Sequence, residues 1–543
     1  MLRFLSLSRV LRALAFAASV SMFLFSLWLV WLAFNVPAEL EIREGTEWIH
    51  ILAKNAGVDI YSTKHVAFVN MNHGPMDAIL KAWLARAIPS LPGWMVTRSF
   101  VLLLPTFLLG SAYVVCRKNW TYALLAAATL HLFLVSLTNM TLVGRSDATA
   151  LCGLAVCAAL THQILANQRP ERSPRRALLQ QTLLGVMSAV VFLSCWRLLP
   201  VLASVQFVIL LRQLAAPRGS RVRGALSAVG LFLVGFALVW VPTFFLELHG
   251  YVHVYYKRFF GFFSAASGWG TFPGSRFRLF PRELLTTRHG VMLLLMVALT
   301  LLGIYRLRRE RGELIAWLLV LPANWVLHAY MFYKNQGGGG FHYFSPFFLL
   351  TWLFILHALG TQTSARSSLL VWLAACFLPA RGLLSRWQQL VRLQSHTRLL
   401  IPLVLAGLIV GLLPWRSLLD EGRNLSRLRP AATAFFEEVK ARSDGEAVFS
   451  EGMHLFKTKY RNEIVDTGDT ASVIARSKYF GEVFLHTFER YVARLQTDPP
   501  GFVVAGLLVE QGLTGTQSPE LVQLLSEHYT ITLRSPDVFV ANG

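Results

Sequence analysis

Charged residues are scarce in this chain, and acidic residues are scarcer than basic ones. The 543 residues include 29 Asp and Glu and 51 Lys and Arg. Charged residues make up 15% of the sequence, whereas 55% is hydrophobic and the mean hydropathy is +0.50. Soluble domains rarely combine so little charge with repeated long apolar runs. The sequence therefore predicts a polytopic membrane protein.

The chain also lacks the usual signals for metal, disulfide and nucleotide sites. Its five cysteines form no CxxC pair and no Cys/His cluster, so the sequence suggests neither a disulfide framework nor a thiolate metal site. No glycine-rich phosphate loop opens a helix, because the glycine run 337–340 is not followed by Lys-Ser/Thr. An activated substrate would therefore have to be supplied through lipid.

The formal net charge of +22 would suit a nucleic-acid-binding protein. However, most arginines lie in short clusters between apolar runs, such as 169–176, 212–223 and 306–311. That distribution is typical of cytoplasmic loops in membrane proteins. Nucleic acid is consequently not expected as a partner.

Eleven apolar runs have roughly the 20-residue length that a bilayer requires. The first is too long for a cleavable signal peptide and is predicted to be an uncleaved anchor. The basic clusters place the N-terminus in the cytoplasm, and the odd number of spans places the C-terminus outside. The predicted spans are 10–34, 98–116, 120–142, 148–166, 178–195, 198–215, 224–245, 290–306, 313–333, 343–360 and 398–416.

These spans divide the chain into a transmembrane module, 1–416, and an extracytoplasmic tail, 417–543. The module exposes a first loop, 35–97, a tight turn at 142–148 and a second large outer loop, 246–289. In the tail, β-like runs alternate with helical patterns, which predicts a small α/β domain. The clearest of these are β-like runs at 447–450 and 502–505 and a helical pattern at 430–442. The expected fold class is an all-α polytopic membrane protein of about 11 transmembrane helices with a small C-terminal extracytoplasmic α/β domain.

The first loop combines acidic residues with two amphipathic patterns. Periodicity predicts surface helices over 45–56 and 76–88, with Lys81 and Arg86 on the polar face of the second. A carboxylate so close to the hydrocarbon layer has a high free-energy cost unless it lies in a cavity that is open to water. The loop is therefore the expected position of a site at the membrane surface.

Four short motifs resemble the GT-C superfamily of polytopic, polyprenyl-phosphate-sugar-dependent glycosyltransferases, which includes protein mannosyltransferases and lipid A aminoarabinose transferases. They are Arg43-Glu44-Gly45, Asp59-Ile60-Tyr61, Gly74-Pro75-Met76 and Arg145-Ser146-Asp147. The resemblance covers residue 1 to about 360 and implies a GT-C-like fold, a lipid-linked donor and an acidic residue, here Glu44, as the catalytic base. Arg43 replaces the first acid of the acidic pair that members often carry. A metal held by paired carboxylates is thus not expected, although a divalent cation stays open.

The candidate residues of the first loop each have a second interpretation. Glu44 is predicted to be the general base, and the alternative is a solvated loop carboxylate. Glu47, His73 and Asp77 are predicted to bind substrate. The alternative for Glu47 and Asp77 is a charge near a helix N-terminus, where the helix dipole favours it.

Arg145 and Asp147 lie at the head of the fourth span. They are predicted to contact substrate or to brace the first loop. The alternative is an interfacial ion pair whose arginine reaches the headgroups.

The second large outer loop places basic residues among aromatic ones, against the usual charge bias of outer loops. It is predicted to hold the donor, with cations on the lipid phosphate and aromatic rings against the isoprenoid. The alternative is an interfacial segment held by headgroup contacts. The donor-phosphate candidates are Lys257, Arg258, Arg276, Arg278, Arg282, Lys334, His342 and Tyr343.

The expected function is inverting transfer of a sugar from a polyprenyl-phosphate donor to a lipid, glycan or protein acceptor. The reaction is expected at the outer face of a bacterial inner or plasma membrane, with no cofactor. A ligase or polymerase of lipid-linked glycans is the nearest alternative, since it shares the donor lipid. Two other functions stay open. One is a transporter or flippase, which should show an internal repeat with broken helices, and the other is a non-catalytic assembly protein.

Overall fold

The computed structural model describes the transmembrane module in segments, together with parts of the tail. The described residues are 2–40, 43–58, 74–137, 141–166, 174–215, 221–248, 290–308, 310–334, 345–360, 415–443, 448–450, 496–497, 502–504 and 527.

Helices make up nearly all of these segments. They are α1 (Leu2–Phe34), α2 (Arg43–Asn55), α3 (Met76–Ala87), α4 (Gly93–Thr97), α5 (Ser99–Val115), α6 (Trp120–Leu137), α7 (Ser146–Ala166), α8 (Pro174–Ser194), α9 (Leu199–Leu214), α10 (Arg221–Thr243), α11 (Gly290–Leu307), α12 (Arg311–Lys334), α13 (Ser345–Gly360) and α14 (Trp415–Ser443). A 3-10 turn, Trp196–Leu198, separates α8 from α9, and a π-helical turn, Phe244–Leu248, follows α10.

The first ten predicted spans each coincide with one of these helices. Within the described residues, five segments are both long and apolar enough to cross a bilayer, and five shorter apolar helices accompany them. The five long segments are Ala13–Phe34, Gly93–Val115, Ser146–Ala166, Gly224–Glu247 and Arg311–Ala329. The chain is thus an integral multi-pass membrane protein. Almost all of the eleventh predicted span, 398–416, lies outside the described residues, so the total of eleven stays a prediction.

The bundle is held together by apolar contacts between neighbouring helices. Helix α8 packs between α7 and α10, α5 packs on α6 and α7, and α1 packs on α6. A continuous set of buried apolar side chains runs through these contacts, with Leu29, Leu104 and Phe348 among the most buried. The end of α1, the start of α5, the start of α7 and the end of α8 lie close together, and they frame the site described below.

The first loop folds onto this end of the bundle. On α2, which coincides with the predicted helix 45–56, Trp48, Ile51 and Leu52 are buried against Ala82 of α3 and Val96 of α4. The orientation predicted for α3 is wrong at Lys81, whose side chain is fully buried instead of solvated. Its amine donates hydrogen bonds to a carboxylate and a backbone carbonyl of the protein, and these bonds replace the ones that it would make to water.

Part of the C-terminal tail is also described. Helix α14 includes the predicted helix 430–442 and packs on α1 and α6, and it crosses the predicted domain boundary at 416 without a break. The two predicted runs at 447–450 and 502–505 form β1 (Val448–Ser450) and β2 (Phe502–Val504), which pair in parallel. The other predicted elements of the tail lie outside the described residues, so the α/β domain stays a prediction.

Candidate functional site

A buried ion pair between Arg98 and Glu44 fixes the entry to the first loop. The Arg98 guanidinium donates from Nε to Glu44 Oε1 at 2.7 Å and from Nη2 to Oε2 at 2.5 Å, and both side chains are fully buried. Its other N–H bonds go to the carbonyls of Ala33 and Val36 at 2.7 and 2.6 Å, and to that of Ala38. Arg98 therefore satisfies carbonyls at the end of α1 while it orients the start of α2.

Two backbone N–H groups complete the environment of Glu44. Leu40 N donates to Oε2 at 2.7 Å, and Gly144 N donates to Oε1 at 2.5 Å. The alternative interpretation of Glu44, a solvated loop carboxylate, is therefore wrong. Each oxygen already accepts two hydrogen bonds, so the group lies at the junction of three segments instead of facing water.

The turn before α7 links this junction to the next one. Gly144 donates its N–H to Glu44, and its carbonyl accepts a bond from Lys81 Nζ at 3.1 Å. A Cβ at position 144 would lie 2.8 Å from the carbonyl carbon and oxygen of Thr97, so the close approach requires glycine. The turn thereby fixes the distance between the Glu44 and Lys81 groups.

Asp77 and Lys81 form the second ion pair of the site. Lys81 Nζ donates to Asp77 Oδ2 at 2.8 Å, one helical turn apart on α3, and both side chains are buried. The Thr149 hydroxyl of α7 donates to Asp77 Oδ1. Gly74 just before α3 lies against α8, where a Cβ would come within 1.9 Å of the Leu193 carbonyl oxygen. The start of α3 is thus held against both α7 and α8.

Asp147 at the start of α7 faces two arginines. Arg145 Nε lies 3.3 Å from Asp147 Oδ2, and Arg197 Nη2 donates to Asp147 Oδ1 at 2.9 Å. Arg145 is 1% exposed, so it does not reach out towards headgroups as the interfacial interpretation required. Arg197 is 12% exposed and Asp147 21% exposed, which leaves this pair accessible from outside.

Glu47 lies one turn after Glu44, among the same charged groups, and it is half-buried. Burial raises the pKa of its carboxyl to about 8, with the nearby Asp77 carboxylate the next largest cause. Lys81 and Arg145 act in the opposite direction and lower the pKa, whereas Asp147 raises it. A carboxyl that titrates near neutral pH is suited to proton transfer.

The site therefore contains four cations and four carboxylates, contributed by α2, α3, the start of α7 and the segments next to them. The structure brings together five of the predicted residues, namely Glu44, Glu47, Asp77, Arg145 and Asp147. His73 and seven of the donor-phosphate candidates lie outside the described residues: Lys257, Arg258, Arg276, Arg278, Arg282, His342 and Tyr343. Lys334 ends α12, and the position of its side chain is not described.

Three residues of the site were missed by the sequence analysis. Arg98 stands at the first position of a predicted span, and an arginine there is a signal that a buried partner could exist. Lys81 is predicted on the polar face of its helix, and Arg197 lies between two predicted spans, where no local pattern distinguishes it. A further pair, Lys54 and Glu247, joins α2 to the turn after α10. It places the start of the second large loop beside the first loop.

The described residues contain no group of three or more His, Cys, Asp or Glu that could hold a metal ion. Glu44, Asp77 and Asp147 each face a nearby Lys or Arg. Within these segments, these three carboxylates are each paired with a cation of the protein.

Comparison with known proteins identifies the fold. No family model matches the chain, and no curated protein matches it. Among solved structures, it is similar to ArnT from Cupriavidus metallidurans bound to undecaprenyl phosphate, with 14% sequence identity and a TM-score of 0.52. The fold is that of ArnT. The apo structure of ArnT matches with a TM-score of 0.54 and the same identity, and each alignment covers 88% of this chain and 91% of ArnT.

The likeness to ArnT confirms, at the level of the fold, the resemblance to aminoarabinose transferases that the sequence motifs predict. At 14% identity it concerns the fold alone. The chemistry must therefore be argued from the residues of this chain.

Proposed function

We propose that this protein is a glycosyltransferase that moves a sugar from a polyprenyl-phosphate donor to a hydroxyl of a lipid, glycan or protein acceptor. The observation that carries the proposal is a half-buried carboxyl, Glu47, with a pKa of about 8, set near the cations Lys81 and Arg145 in an ArnT-like fold. A single displacement at a sugar carbon needs a base that takes the proton of the acceptor hydroxyl, and cations that stabilise the leaving phosphate.

Glu47 is the base in this proposal. It would take the proton of the acceptor hydroxyl while the acceptor oxygen bonds to the anomeric carbon. The bond from that carbon to the phosphate oxygen breaks, and its electron pair leaves with the polyprenyl phosphate. One displacement from the opposite face inverts the anomeric configuration. Glu47 fits because it is partly open to solvent and because its pKa lies near the working pH.

Glu44 remains the other candidate for the base. Its four hydrogen bonds and complete burial favour a supporting role instead, because the acceptor hydroxyl would have to displace a bond to Arg98, Leu40 or Gly144. Glu44 and Arg98 then hold α2 so that Glu47, one turn later, faces the cations. The two candidates differ in accessibility, and mutation separates them.

The leaving phosphate is assigned to the cations around Asp147. Arg197 is accessible and binds Asp147 through one nitrogen, and Arg145 lies on the other side of the same carboxylate. Arg–phosphate bonds are charge-assisted and stronger than neutral hydrogen bonds. The predicted donor residues of the second large loop remain candidates for the same phosphate. The Lys54–Glu247 pair supports their position near the site.

The proposal is tested with the purified full-length protein and a panel of polyprenyl-phosphate sugars. One of them should be consumed, with release of polyprenyl phosphate and formation of a product of inverted anomeric configuration. Release of a polyprenyl diphosphate from a lipid-linked oligosaccharide would instead indicate a ligase or polymerase. Movement of labelled lipid across vesicles without bond cleavage would indicate a flippase. Either of these two results would overturn the proposal.

A further inference from the structure

The N-terminal half of α14 carries a stripe of arginines on one face. Arg416, Arg423 and Arg427 are spaced by seven and four residues, so they point in nearly the same direction at 3.6 residues per turn. The side chains of Arg416 and Arg423 are 83% and 67% exposed, and Arg427 is exposed as well. We call these three residues the arginine stripe.

The opposite face of α14 is packed on the bundle. Leu418, Gly422 and Leu425 are buried on that face, and a Cβ at Gly422 would lie 2.5 Å from the Trp28 ring of α1. The arginine stripe therefore points away from the protein, outward from the bundle.

Contacts with α1 fix the depth of the stripe in the membrane. The Trp415 ring at the start of α14 lies 5.3 Å from Phe25, which is nine residues before the end of α1. At a rise of about 1.5 Å per residue, α14 thus begins roughly 13 Å below the end of α1. Phe25 belongs to the candidate span Ala13–Phe34, and Trp28 and Trp31 nearby are exposed as in an interfacial aromatic belt. Arg416 therefore begins the stripe within the depth of that span. Because Gly422 lies against Trp28, α14 runs from there towards the end of α1, so Arg423 and Arg427 lie successively nearer the headgroup layer.

The charge of the stripe is only partly balanced within the protein. Asp420 lies on the same face, 4.0 Å from Arg416 and 3.4 Å from Arg423, so one carboxylate serves two arginines. Arg427, one turn further, adds a third positive charge. Exposed arginines at such a depth are stabilised when they reach a phosphate of the headgroup layer.

From this geometry we infer that the arginine stripe is a docking surface for anionic membrane lipid, which binds through its headgroup phosphate. The surface lies on the same side of the bundle as the site, because Phe436 further along α14 packs at 4.8 Å against Trp94 of the first loop. The inference does not depend on the proposed transferase activity. It predicts that anionic lipid stays bound to the protein when the bulk membrane is removed.

The test is native mass spectrometry of the full-length protein in detergent, titrated with phosphatidylglycerol or with phosphatidylcholine. The wild type should bind phosphatidylglycerol in preference, and Arg423→Gln should weaken that binding about fivefold, the usual contribution of one basic residue near an anionic surface. The triple change to Gln at 416, 423 and 427 should abolish the preference. The triple change to Lys should keep most of it, since the charges remain.

Arg429 provides the matched control. It is exposed on the same helix but lies off the stripe, so Arg429→Gln should leave the binding of phosphatidylglycerol unchanged. The inference is overturned if the triple Gln variant binds phosphatidylglycerol as the wild type does, or if Arg429→Gln weakens binding as much as Arg423→Gln. Equal binding of the two lipids by the wild type would overturn it as well.

Discussion

Arg98 and Glu44 form a fully buried two-point ion pair that joins the end of α1 to the start of α2. The pair is 54 residues apart in sequence, and it determines the direction in which the first loop leaves the bundle. Glu47, one turn further along α2, depends on that direction for its position among Asp77, Lys81 and Arg145.

The first prediction concerns the stability of this junction. Arg98→Met leaves the Glu44 carboxylate buried without its partner, which should lower the free energy of unfolding by about 3–5 kcal/mol. Denaturant unfolding of the protein in detergent micelles measures it. Arg86→Met is the matched control, because Arg86 is exposed and its hydrogen bonds within the described residues go to Asn55 and the Lys54 carbonyl. If the two variants lose the same small amount, the buried pair does not organise the loop.

A second prediction concerns Gly144. Gly144→Ala would place a methyl group 2.8 Å from the Thr97 carbonyl, and the resulting shift of the turn should lower the free energy of unfolding by about 1–3 kcal/mol. Gly230→Ala in α10 meets no atom within 4 Å and should be neutral or slightly stabilising. Thermal unfolding of both variants gives the comparison. An Ala at 144 without effect would show that the turn tolerates a side chain.

The third prediction concerns the pKa of Glu47 and the transfer rate. Asp77 raises this pKa and Arg145 lowers it. Asp77→Asn should therefore move the rising limb of the pH–rate profile to lower pH, and Arg145→Gln should move it to higher pH. Transfer measured between about pH 5 and pH 9 shows both shifts. Identical profiles for the two variants would mean that Glu47 does not control the rate.

The fourth prediction concerns the effect of pH on stability. The pKa of Glu47 is about 8 in the folded protein and 4.5 without the protein environment, so folding disfavours the ionised form. Ionisation therefore removes stability as pH rises from about 4.5 to about 8. The Glu47→Gln variant cannot ionise at this position, so its stability does not fall for this reason as the pH rises. Its melting temperature should exceed that of the wild type by a margin that grows from pH 5 to pH 8, and a constant margin would contradict the raised pKa.

The fold was largely predictable because the length of an apolar run is a local property. Ten predicted spans coincide with helices, and the β-like runs at 447–450 and 502–505 form strands that pair. The gathering of carboxylates was also partly predictable, because Glu47, Asp77 and Asp147 all lie in the segments 35–97 and 142–148, which are predicted on the same side of the membrane. Their partners were not predictable, because pairing across tens of residues leaves no local pattern.

Lys81 illustrates the limit most clearly. Helical periodicity separates Lys81 from the apolar residues of α3, and a polar face normally points to water. In the structure Trp83 is 62% exposed while Lys81 is fully buried, because Asp77 and the Gly144 carbonyl accept the hydrogen bonds of its amine. Periodicity shows which residues share a face. It does not show whether protein, lipid or water covers that face.

Single-turnover sugar transfer by Glu47→Gln tests the central claim most directly. The substitution keeps the size of the side chain but removes the base, so transfer should fall by about 10²–10⁴-fold while the protein still folds and binds the donor. Glu44→Gln should act mainly on stability, because it weakens the pair with Arg98. Wild-type transfer by Glu47→Gln, together with loss of transfer in a stably folded Glu44→Gln, would contradict the account and assign the base to Glu44.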